Sequence, residues 1–165
     1  MYINNYNESC SDHTVSKYIN YLEETYAISK IKPYSAKTKK ELAYNFKIYD
    51  EDVSFNSIRC FDNRYDLDHN LENIVYNELL YMGYDVYVYN EEKEIDFLAQ
   101  KGNKKYYIQV AYSIENEKAY DRKFAAFRKI DNDVRKVIIT TDEIDYSTSI
   151  VEHINIKDFL IMNEL

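Results

Sequence analysis

Glycine is scarce: Gly83 and Gly102 are the two in the chain. No G-x-x-x-x-G-K-[ST] run can be written with them, so the sequence excludes a P-loop cradle for nucleotide phosphates and, with it, an ATP site or ATP hydrolysis by these residues. Cysteine is equally rare, and Cys10 and Cys60 have neither paired nor metal-ligand spacing, which leaves reduced thiols as the reading. His13, His69 and His153 are scattered without ligand spacing and read as surface or capping residues. No apolar run approaches the ~18 to 20 residues that cross a bilayer. Residues 1–6 (MYINNY) carry neither the basic nor the apolar region of a signal peptide, so the expectation is a cytoplasmic protein without a membrane partner. An excess of basic charge is also missing. A formal net charge of -8 argues against a strong non-specific grip on DNA, because phosphate contacts need positive surface.

What is present describes a folded, water-compatible chain. The 45% hydrophobic and 16% aromatic residues support a packed core and exclude disorder by low hydrophobicity, while the 30% that are charged keep the surface wet. Charge is unevenly placed. Lys30, Lys32, Lys37, Lys39, Lys40 and Lys47 are opposed in their stretch by Glu41 alone, whereas residues 50–96 are rich in acids. Such a lysine-rich stretch reads either as a solvated basic hairpin or as a DNA-contacting one, with Lys30, Lys32, Lys37, Lys39 and Lys40 as the contacts. The character changes near residue 62, giving two units, 1–61 and 62–165.

In the first unit, Val15, Ile19, Leu22 and Tyr26 recur at helical spacing over residues 12–26, with Asp12 available as a cap. Two β-type runs follow, 28–34 and 43–49, and Pro33 marks an edge strand. Helix plus basic hairpin outlines the last part of a winged helix. Residues 50–66 read as an acidic linker with one short helical turn. From Leu67 the pattern sharpens. Leu71, Ile74, Val75, Leu79 and Met82 line one helical face, with Asp68 as a cap and Gly83 as a terminator. Runs 85–90, 93–99 and 105–112 form a three-stranded meander; a helix over 115–130, a buried strand 136–141, a short strand 153–156 and a helix 157–162 complete the chain. The order α-β-β-β-α-β predicts an α/β fold.

Chemistry has one natural place in this plan. Glu94 and Asp96 share a face of the second meander strand, as do Tyr107, Gln109 and Ala111 of the third. If the two faces coincide, Asp96 and the Gln109 oxygen enter one cleft, and Glu72 on the preceding helix can complete it. Hard oxygen donors of this kind suit Mg²⁺, or Mn²⁺, and hydrolysis of a phosphodiester. Each residue also has a plainer role: Glu72 as surface charge, Gln109 as a cross-sheet hydrogen bonder. Asp96 between Ile95 and Phe97 is the least easily explained that way, because a half-buried carboxylate needs a partner. The tyrosines of 81–89 read as sheet packing rather than base stacking.

The order helix-Glu72, strand-Asp96, strand-Gln109 resembles the PD-(D/E)XK nuclease superfamily. That resemblance implies a restriction-endonuclease-like core in which Asp96, Gln109 and Glu72 hold the metal. The superfamily's lysine falls on Ala111, a departure at the motif's most informative position; migration of the lysine to the next helix makes Lys118 or Lys123 the substitute. A wider similarity rests on His13–Tyr26, Asn70–Val88, Lys93–Ala99 and Tyr106–Ile114, which resemble the C-terminal portion of a family of bacterial and archaeal AAA-type ATP-binding proteins. It implies a partial winged helix followed by a nuclease-like domain, in a C-terminal piece of such a protein or the product of a truncated gene. Three functions are expected: a nuclease-fold module with a decayed site that binds DNA or a partner protein beside an ATPase; an active Mg²⁺-dependent endonuclease; or a module for self-association or protein contact through apolar surface that the incomplete winged helix leaves uncovered.

Overall fold

The computed structural model describes residues 11–34, 46–59, 66–89, 95–128, 130 and 133–165. Helix α1 (Asp12–Glu24) starts at Ser11, whose hydroxyl accepts the Thr14 N–H, so the cap lies one residue before the expected Asp12. Just past the helix, after the Thr25 cap, Tyr26 is held at φ 56, a conformation that favours glycine. The expected strand over 28–34 is two strands. Strand β1 (Ile28–Ile31) pairs antiparallel with β3 (Lys47–Asp50), while β2 (Pro33–Tyr34) pairs parallel with β4 (Asp85–Tyr89). The split follows from Pro33, which has no N–H to continue a ladder, and the Lys32 carbonyl takes up the Val88 N–H instead. Helix α2 (Ser54–Arg59) is the short turn expected in the acidic stretch.

The second segment follows the expected order. Helix α3 (Leu67–Tyr81) leads through Gly83 at φ +83 into β4, and β5 (Ile95–Lys101) and β6 (Lys104–Val110) complete the meander. Helix α4 (Glu117–Phe127) crosses over to β7 (Arg135–Thr140), and β8 (Glu152–Asn155) and α5 (Ile156–Phe159) follow. The cap of α3 is Asp66, not Asp68. The six-stranded sheet runs β2-β4-β5-β6-β7-β8, antiparallel through the meander and parallel from β6 to β8. The architecture is thus mixed α/β.

Strand alternation divides the core between two faces. Phe97, Ala99, Ile108, Val110 and Ile139 pack with Leu71, Val75 and Leu79 of α3 and Phe159 of α5. Leu98, Tyr107 and Ile138 pack with Phe124 and Phe127 of α4. Ile31 and Tyr49 from the first segment join the α3 side, so residues before and after position 62 share one core. The Asp50 backbone fastens this joint: its N–H donates to the Asn73 amide oxygen, and its carbonyl accepts from the Asn73 amide.

Candidate functional site

The β5–β6 hairpin brings the first two site residues together. Gly102, at φ +58, makes the tight turn, and the ladder runs back to Phe97 opposite Ile108, so one further step sets Asp96 across from Gln109 on the α4 side. Both are buried. Asp96 Oδ2 accepts the Val110 N–H at 2.8 Å. The carboxylate thereby satisfies a main-chain donor at the end of the antiparallel ladder.

Helix α4 supplies the cation. Lys123 Nζ donates to Asp96 Oδ2 at 2.7 Å and to Gln109 Oε1 at 2.9 Å. Side-chain exposures of 12% and 7% for Lys123 and Asp96 make this a largely buried ion pair. The buried face of α4 carries Phe124 and Phe127, so Lys123 projects from the flank of the packed helix. Lys118 lies on the exposed first turn and does not line the cleft.

Glu72 enters from α3, beside the Leu71–Val75–Leu79 stripe that fixes the helix against the sheet. Its Oε2 accepts the Tyr49 hydroxyl at 2.9 Å and lies 3.5 Å from Lys47 Nζ. Burial pushes the Glu72 carboxyl up from the ordinary carboxylate range, and the Asp96 charge adds to that; Lys47, the Tyr49 hydroxyl and Lys123 act against it. Asp68, one turn earlier, accepts the Tyr112 N–H at 2.6 Å. Asp68, Glu72, Asp96 and Gln109, with the cations Lys47, Arg122 and Lys123, line a cleft of about 440 Å³.

The donor set suits a small hard cation. The Asp96 and Gln109 oxygens already converge on one ammonium, and Glu72 adds a second acid in the same cleft. Two acids and an amide would leave positions for water, as Mg²⁺ prefers, although among the described residues no group of three or more His, Cys, Asp or Glu side chains forms a metal cluster.

The structure therefore assembles Glu72, Asp96, Gln109 and Lys123 and leaves Lys118 outside. Ala111 is buried against the α4 side and donates its N–H to the Ile139 carbonyl. Of the lysines expected at DNA, Lys30 is engaged with Glu23 at 2.7 Å and Asn20 at 2.5 Å, and Lys32 is exposed. Lys37, Lys39 and Lys40 lie outside the described residues, as do Glu94, Cys10 and Cys60. Sequence reasoning missed Lys47, Tyr49 and Arg122 as neighbours of the site and took Asp68 for a cap. Of the surface or capping roles expected for His153, the surface one does not hold: its side chain is buried, with Nε2 at 2.8 Å from the Thr140 hydroxyl and Nδ1 accepting the Tyr146 N–H. Tyr18, Tyr21 and Tyr26 of the α1 region are exposed. No helix among the described residues is long and apolar enough to cross a membrane.

Fold and site together define a mixed α/β protein with a partly buried acid–amide–lysine cleft. Residues 68–159, more than half of the chain, match the model for Domain of unknown function (DUF4143), and the chain belongs to that family. The family is one that sits at the C-termini of AAA-type ATPases. Residues 3–58 match a second model, Domain of unknown function (DUF8612). An uncharacterized protein of Haemophilus influenzae is 36% identical over 132 residues, which are 79% of this chain and 32% of that protein. The chain thus spans about a third of the length of this curated relative. No solved structure matches the chain.

Proposed function

We propose that the cleft is a metal-dependent phosphodiester-cleaving centre, with DNA as substrate, on a core of the PD-(D/E)XK nuclease type. The observation that carries this reading is the Lys123 ammonium at 2.7 and 2.9 Å from the Asp96 and Gln109 oxygens, which supplies from α4 the charge that Ala111 lacks. Asp96, Gln109 and Glu72 would hold Mg²⁺ or Mn²⁺, whose chemistry is to polarise a phosphoryl oxygen and lower the pKa of bound water. Lys123 is then close enough to orient the attacking water and to offset the negative charge that grows on the phosphate. Lys47 and Arg122, in the same cleft, offer further cations to the phosphodiester backbone. In a longer relative, the module would work beside an AAA-type ATPase, preceded by a winged-helix-like segment built from α1, β1 and β3.

The test is incubation of supercoiled plasmid with the chain and Mg²⁺ or Mn²⁺, beside Asp96→Ala and Lys123→Ala. The expected result is metal-dependent nicking, abolished by the first and reduced about 100-fold or more by the second, the usual effect of removing one transition-state charge partner. A second reading has its own support. Lys123 already occupies both oxygens, so the fold can serve as a binding module for DNA or a partner protein without turnover. Absence of nicking together with a metal-free gel shift would favour DNA binding alone. The exposed α1 tyrosines favour association with itself or a partner protein, which concentration-dependent light scattering of the chain would detect.

A further inference from the structure

We infer that Tyr49 is a positioning residue of the cleft: through its hydroxyl it fixes one oxygen of Glu72 and leaves the other directed to a bound cation, so that the site is built from both segments of the chain. The inference rests on the metal-binding reading above and adds to it a residue outside the nuclease-like segment. Tyr49 lies within the 3–58 match, while Glu72, Asp96, Gln109 and Lys123 lie within 68–159.

Three observations support it. First, the ring cannot wander: Tyr49 is 1% exposed, with its centroid 5.0 Å from that of Tyr76, 5.6 Å from His69 and 5.8 Å from Phe97. A hydroxyl on so constrained a ring is a fixed point, and a donor that needs no reorganisation holds its acceptor at little entropic cost. Second, Tyr49 and Lys47 both approach Oε2 of Glu72, and among the described residues no hydrogen bond or ion pair falls on Oε1. Glu72 lines the cleft, and Oε1, without such a contact, is the oxygen a cation there would take. Third, β3 is itself anchored at the next residue, where the Asp50 backbone is clasped by Asn73 one residue beyond Glu72. Donor strand and acceptor helix are thus tied together at two consecutive places. A carboxylate left free to rotate in this cleft would spend part of its time turned from the cation; the hydroxyl removes that freedom.

The experiment measures Mn²⁺ affinity by the loss of the free-ion electron paramagnetic resonance signal. It uses the full chain in four forms: unaltered, Tyr49→Phe, Glu72→Gln and the double variant. Phenylalanine keeps the ring stack, and thermal unfolding by circular dichroism checks that each form folds. Tyr49→Phe is expected to weaken Mn²⁺ about tenfold, the scale of one lost hydrogen bond to a charged group, and to alter the bound-ion spectrum. In the Glu72→Gln background the same change should matter less than about twofold, because the carboxylate it positions is gone. An unchanged affinity in Tyr49→Phe, or the same loss in both backgrounds, overturns the positioning role while leaving the metal reading standing. If the unaltered chain takes up no Mn²⁺, the metal reading itself fails and the inference falls with it.

Discussion

Replacing Lys123 by Met tests whether the cleft is an electrostatic unit. The side chain keeps most of its apolar stem, so the principal loss is the ammonium that lies 2.7 Å from Asp96 and 2.9 Å from Gln109. Removing one partner of a buried ion pair typically costs about 3 to 5 kcal/mol, because the other charge is left without compensation. Asp96 retains the Val110 N–H, and the cleft admits water, so a loss of about 2 to 4 kcal/mol is expected here. For a chain of this size that corresponds to a fall in Tm of roughly 4 to 16 °C. Urea titrations followed by circular dichroism would give the free-energy difference at 25 °C. Asp96→Asn with Lys123→Met removes both charges while keeping an acceptor for Val110; it should be more stable than Lys123→Met alone, with a coupling of at least about 1.5 kcal/mol. If Lys123→Met lies within about 0.5 kcal/mol of the unaltered chain, or the two changes simply add, the buried-pair reasoning is refuted.

Three further outcomes are expected. Burial holds the His153 imidazole below its ordinary value, with Nδ1 unprotonated to accept the Tyr146 N–H, so the folded state binds the proton less readily than the unfolded state. Its contribution to stability should be complete well above the ordinary value of about 6.5, decline as pH falls through that value, and level off below the folded one. Urea midpoints across that range, compared with His153→Gln, would detect this decline. Glu72 has the opposite sign: its carboxyl is raised by burial and by Asp96, so Glu72→Gln should be more stable than the parent at pH 7, with the gain vanishing as pH falls below the ordinary carboxylate value in the same titrations. Tyr26→Gly, at φ 56, should stabilise the end of α1 by about 1 kcal/mol, read as a higher midpoint in thermal denaturation.

The second segment was legible because its periodicities are strong. Alternation in β4 to β6 and the Leu71–Val75–Leu79 stripe each have one sensible burial, and Gly102 allows a turn tight enough to set the register. That register is why Asp96 and Gln109 could be paired in advance. Caps were read one or two residues off at Asp12 and Asp68 because neighbouring polar side chains compete for the same N–H groups, and Ser11 and Asp66 win. Lys118 and Lys123 could not be separated by pattern alone. Five residues place them about 140° apart around a helix, so only one can flank the buried face, and which one depends on how Phe124 and Phe127 seat against the sheet. Tyr49 and Lys47 gave no local signal. Their place at Glu72 is a tertiary contact across more than 20 positions, fixed by the packing of β3 on α3.

The location of the lysine bears on what the cleft requires. In the expected motif the cation stands two residues after Gln109, where this chain has Ala111, buried against the α4 side of the sheet. On the proposed nuclease reading the position on the strand would be incidental: what that chemistry would need is an ammonium within hydrogen-bond reach of the acid and amide oxygens, and Lys123 reaches both from α4. That arrangement also carries a cost. Asp96 and Glu72 are two acids withdrawn from water in one cleft, and folding alone would be better served by apolar residues of similar size. Charges gathered at such a cost, with an aromatic hydroxyl from a distant segment fixing one of them, are more readily explained by a ligand that uses them than by stability. On the proposed reading, a divalent cation would meet Asp96 and Glu72, and a phosphodiester would meet Lys47, Arg122 and Lys123, which line the same cleft.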